Sequence, residues 1–209
     1  MQGNLVTLCW EGIEVVGILL GAYVVESTVH EIAHFGTALA VGVRPTALCL
    51  FTSPSAPRGR LVSVEWKGHR VEIGTHPLRY FVCFDDQHPV WKMPPAAAES
   101  LARAGCLQVA AIALAGPLVH VLTAVLCEAL VIFSFTGETT DWACRWVIVA
   151  SVILAAANLL PVGSSDGAHA LNALRRRPPH YGRKLVPWEE WTLASVACLT
   201  AAIAWYCLF

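Results

Sequence analysis

His30-Glu31-Ile32-Ala33-His34 sets two imidazoles four residues apart with a carboxylate next to the first. On an α-helix, positions i and i+4 share a face, so both rings can reach one metal ion. Glu31 is then placed to take the proton of an attacking water. The stretch around the pattern is apolar, and ionisable side chains inside an apolar span are costly and functional by default. A catalytic zinc needs a third protein ligand and an open position. Asp85 and Asp86 lie in a loop and Asp141 falls at the opposite end of a span, which leaves Asp166. A depth count supports the pairing. His34 stands 10 residues before Arg44 and Asp166 stands 9 before Arg175, which puts both roughly 15 Å from the same edge of the bilayer. The expectation is one Zn2+ per chain on His30, His34 and Asp166, with Glu31 as general base.

Helices that cross a membrane must position these groups. Of the 209 residues 56% are hydrophobic and 14% charged, with mean hydropathy +0.57. A soluble domain carries about 25% charged residues. The shortfall is concentrated in long apolar runs, each near the roughly 20 residues that a hydrocarbon core requires. Four crossings are expected, at about Ile13–Val43, Leu107–Phe135, Arg145–Leu174 with an interruption, and Trp191–Phe209. Residues 1–209 read as a single membrane-embedded domain, with a three-helix core over about 13–174 and an extra C-terminal helix over about 191–209. The N-terminus carries no Lys or Arg before the first apolar run, so that run reads as a retained helix and not a cleaved leader. The 8 cysteines are scattered without a Cys-x-x-Cys pair and read as free thiols that act as small hydrophobes.

Of the 14 basic residues, all but Arg145 fall in the loop between the first and second crossings or in that between the third and fourth. These loops share a side, and the positive-inside rule makes it cytoplasmic. The protein is therefore expected as a multi-pass protein of the cell membrane, with both termini outside and the metal toward the cytoplasm. Net charge is −1, which excludes nucleic acid as an expected partner. The lipid bilayer and a membrane protein or peptide are the expected partners, and the oligomeric state is left open. In the first loop, Leu61–Trp66 alternates, turns at Lys67-Gly68-His69 and resumes at Val71–Ile73, the pattern of a hairpin. Tyr80–Phe84 is a further strand candidate. The fold class is all-α and membrane-spanning, with a small cytoplasmic β-hairpin.

Other polar residues have quieter readings. Glu26 shares the face of His30 and His34 one turn outward, where it orients a ligand or pairs internally. His169 lies one turn beyond Asp166 and is placed to support a ligand. His120, counted from Arg103, comes out roughly 25 Å deep, about 10 Å from the metal plane. It is read as a helix-to-helix hydrogen bonder and not a ligand. His69, His76, His88 and His180 read as solvated loop residues.

Three motifs occur in one order: His30-Glu31-Ile32-Ala33-His34, Ala115-Gly116-Pro117-Leu118, and Asn158-Leu159-Leu160-Pro161 followed by Asp166-Gly167-Ala168-His169. In this the chain resembles the site-2 protease family over roughly residues 13 to 174. The resemblance implies intramembrane proteolysis by zinc, with Glu31 as base and Asp166 as third ligand, and Asn158 and Pro161 positioning substrate. The chain departs from the family pattern at Ser165, where Leu is usual, at Ala168, where Gly is frequent, and at His120, where Asn commonly follows the Gly-Pro. Two readings from other classes stand beside the peptidase: a catalytically idle membrane adaptor of the same fold, and a zinc-binding or zinc-transporting membrane protein.

Overall fold

The computed structural model describes residues 2–52, 60–75, 80–83, 103–133, 137–162 and 165–175, with short helical stretches at 191–192, 195–196, 198–200 and 202–203. The chain begins with helix α1 (Gln2–Ala40), followed by strands β1 (Ala47–Leu50), β2 (Arg60–Trp66), β3 (His69–Gly74) and β4 (Tyr80–Cys83). Helices α2 (Cys106–Ile132), α3 (Glu138–Leu159) and α4 (Asp166–Leu174) complete the described elements. Among the described residues, three helices are long and apolar enough to cross a membrane: Trp10–Ala40, Cys106–Ile132 and Glu138–Leu159. They match the first three expected crossings, although the third starts at Glu138, about two turns before Arg145. Its interruption is real, since α3 stops at Leu159 and α4 starts at Asp166. Most of the fourth expected crossing lies outside the described residues.

Each helix end has a local cause. Gly42, at φ +81°, adopts the left-handed conformation that closes a helix, and the Val43 amide bonds back to the Ala38 carbonyl at 2.9 Å. At the start of α2, Gln108 accepts from the Gly105 amide at 2.7 Å and donates to the Val41 carbonyl at 2.7 Å. One side chain thus caps α2 and ties it to the end of α1, which levels the two helices. Around this seam Ala38, Val43 and Ile112 form a buried cluster. On the other side of α2, Ala110 and Ala113 pack on Ala170 of α4, small residues that let the helix backbones approach closely.

The hairpin expected between Leu61 and Ile73 is present but belongs to something larger. Lys67 (φ +51°) and Gly68 (φ +79°) make a two-residue turn with both φ positive, the form that matches strand twist. The resulting β2 and β3 sit in a four-stranded mixed sheet, ordered β2-β3-β1-β4. β1 runs parallel to β3 and antiparallel to β4. An all-α fold with a lone hairpin is therefore corrected to a helical membrane protein with a mixed sheet. β1 has no strand signature in the sequence, because Ala47-Leu48-Cys49-Leu50 is buried throughout and shows no alternation. Leu48 and Leu50 pack on Phe35 of α1, together with Val71, Tyr80 and Val82. The sheet is thereby fixed to the same end of α1 that carries the His-Glu-x-x-His pattern. His69, expected in solvent, is half-buried; its ring lies edge-on to Phe35 and bonds the Pro45 carbonyl at 2.7 Å.

Candidate metal centre

His30 and His34 lie on adjacent turns of α1, both buried and both facing α2. Their Nε2 atoms stand 2.9 Å apart. Asp166, in the first turn of α4, brings Oδ2 to 3.1 Å from His30 Nε2 and Oδ1 to 3.4 Å from His34 Nε2. Among the described residues, these three form the group of donors able to hold a metal ion. Glu31 is half-buried beside them and takes a hydrogen bond from the Val82 backbone in β4.

Two loops of local structure deliver Asp166. Ser165 is the N-cap of α4, its hydroxyl accepting from the Ala168 amide at 3.2 Å. The same hydroxyl donates to the Leu160 carbonyl, which ties the cap to the end of α3. A Cβ at Gly167 would overlap the Leu159 carbonyl, so only glycine lets the first turn of α4 sit this close to α3. The helix N-terminus, with its partial positive charge, also favours the Asp166 carboxylate. Asn158 is half-buried in the last turn of α3, and Pro161 is exposed just beyond it. His169 is half-buried one turn along α4.

The donor set fits a divalent metal. His34 Nδ1 lies 2.6 Å from the Ile112 carbonyl, which can only accept, so the neutral ring has its lone pair on Nε2. His30 Nδ1 is engaged at 3.0 Å by His120 Nε2, which also leaves Nε2 pointing inward. With the His30 proton on Nδ1, two imidazole lone pairs and a carboxylate converge on one point, a donor set suited to a cation. Donors around a tetrahedral zinc at about 2.0–2.1 Å stand roughly 3.3 Å apart, close to the separations found here. The space is also reserved on the α2 side. A Cβ at Gly116 would overlap His34 Nε2 and the His30 ring, so the Gly116-Pro117 turn supplies the gap.

His120 departs from its expected place. The depth count put it about 10 Å from the metal plane, whereas it touches His30. The count took Arg103 as the helix start and measured to His34. The helix begins at Cys106, 14 residues before His120, and His30, the deeper ligand, lies 14 before Arg44. The two are therefore level. His120 Nδ1 in turn lies 2.6 Å from Glu26 Oε2, and the single Ser151 hydroxyl proton is shared between Glu26 Oε1 at 2.6 Å and the Val147 carbonyl at 2.8 Å. Ser151, of α3, has no signature in the sequence, because one serine in an apolar span carries no pattern.

Comparison with known families takes in the first two of the three motifs. The model for peptidase family M50 matches residues 18–140, more than half of the chain. It takes in the His-Glu-x-x-His turn, the sheet and α2, but stops before Asp166, whose place beside the histidines is a matter of geometry. No curated protein matches the chain. Three membrane-length helices, a buried His-Glu-x-x-His turn and the family match lead to one conclusion: the chain belongs to peptidase family M50, the site-2 protease family, a family of membrane metalloproteases.

Proposed function

We propose that the protein is an intramembrane zinc peptidase that hydrolyses peptide bonds of membrane-spanning substrates near the cytoplasmic side of the bilayer. The observation that carries this reading is the convergence of Asp166 from α4 with His30 and His34, beside Glu31, in a helix of membrane-spanning length. His30, His34 and Asp166 would hold the zinc, one per chain. Bound there, zinc would polarise the scissile carbonyl and lower the pKa of water toward about 7.

The remaining work falls to side chains of the protein. Glu31 takes the proton of the attacking water and passes it to the leaving amine, a role worth about 10²–10⁴-fold in rate. Asn158 and Pro161, at the break between α3 and α4, border the path to the site and position the substrate backbone. A helical substrate hides its amides, so a segment must unwind before cleavage. Once extended, it can add to a sheet edge. The sheet has two edges, β2 of the hairpin and β4, and the one beside Glu31 is β4, whose Val82 backbone bonds its carboxylate.

The test uses full-length protein in liposomes with a membrane-spanning substrate. Wild type cleaves it, and Glu31→Gln retains zinc but loses cleavage by at least about 10²-fold. A Glu31→Gln variant that cleaves at the wild-type rate removes the proposed base. Zinc flux into the liposomes without cleavage would favour a transporter instead.

A further inference from the structure

Behind the metal ligands runs a buried chain of hydrogen bonds that the hydrolytic steps do not use: Ser151 to Glu26, Glu26 to His120, His120 to His30. It joins α1, α2 and α3, and its three outer members are sealed, with His120 1%, Glu26 3% and Ser151 0% exposed. The direction of the chain follows from its ends. If His30 binds metal through Nε2, its proton sits on Nδ1 and needs an acceptor. The acceptor within reach is His120 Nε2, so His120 holds its own proton on Nδ1 and donates it to Glu26. The Glu26 carboxylate only accepts, and takes its second bond from Ser151. Reversing the chain would protonate His30 on Nε2 and remove its lone pair from the site.

Charge points the same way. A buried carboxylate in a span is costly without a compensating cation. Arg145 is the sole basic residue in the three spans, and among the described residues no Lys or Arg pairs with Glu26. A divalent ion held by His30 would supply that compensation through the two imidazoles.

We infer that Glu26 and His120 are positioning residues that lock His30 in its metal-binding tautomer, with Ser151 steadying the carboxylate. This extends the familiar carboxylate–histidine–zinc arrangement by one ring. It rests on the reading of His30, His34 and Asp166 as a zinc site.

The test is zinc affinity of the full-length protein in lipid nanodiscs, measured by competition with a chelator, alongside the visible spectrum of the Co2+-loaded form. Glu26→Gln keeps the size of the side chain and one oxygen to accept from His120, with its amide donating to Ser151 Oγ, but loses the charge. It is expected to bind zinc about 10–100-fold more weakly, with a shifted Co2+ spectrum. His120→Phe should do the same, and His120→Gln, whose Oε1 still accepts the His30 proton, should recover part of the loss. Ser151→Ala, the mildest change, should weaken zinc several-fold while melting close to wild type, and it carries the test if His120→Phe does not fold. Wild-type affinity and an unchanged spectrum in Glu26→Gln and Ser151→Ala would overturn the relay and leave the zinc site standing. A wild-type protein that binds no zinc would overturn both.

Discussion

A methyl group at Gly116 would occupy the space between the two imidazoles that the metal needs. Gly116→Ala is therefore expected to abolish zinc binding while leaving α2 intact, because alanine favours helix. Metal analysis together with helix content by circular dichroism checks this; full zinc occupancy in the variant would show that the gap is not the metal's. The grouping of His30, His34 and Asp166 was legible in the sequence, since i, i+4 spacing is a strong constraint and Asp166 was the aspartate at matching depth. His120 was not, because a depth count good to about one turn is too coarse when the wrong residue starts the helix. Ser165 was read as a departure from the family pattern, and its contribution is local: it caps α4 and holds Leu160.

At the scale of elements, the join between α3 and α4 carries Asp166 to the histidines. Gly167→Ala forces a side chain into the Leu159 carbonyl and must push α4 away. Overpacking of this kind costs about 1–3 kcal/mol, and Asp166 moves with the helix. Lowered melting temperature and weakened zinc binding should appear together. Ser165→Ala is expected to cost about 0.5–2 kcal/mol through the lost cap, with a smaller effect on zinc. A variant at Gly167 that melts and binds as wild type would show that the close approach is not required. The interruption between these helices was legible from Pro161 and Gly167, and the hairpin from its alternation and its Lys67-Gly68 turn. β1 was not, because a four-residue strand buried on both faces has no period to read.

At the scale of the molecule, the described residues combine three apolar helices of membrane-spanning length with a four-stranded sheet in the segment between the first two. The asymmetry of basic residues predicts that Arg175, Arg176 and Arg177 face the cytoplasm and that the N-terminus lies outside. A tag at the N-terminus of the protein in intact cells should be open to an impermeant label, whereas one between Arg177 and Arg183 should react after permeabilisation only. The opposite pattern would invert the topology and move the metal toward the outer side. Composition made membrane residence plain, because the missing charge was confined to segments of spanning length.

The claim beneath all of this is that residues from α1 and α4 hold one metal between them. X-ray absorption at the zinc edge of the purified, full-length protein tests it most directly. The account predicts one zinc per chain, with nitrogen and oxygen donors at about 2.0–2.1 Å and imidazole scattering from two rings, and loss of the metal in Asp166→Ala. Sulfur scattering at about 2.3 Å, or a full complement of zinc in Asp166→Ala, would contradict it.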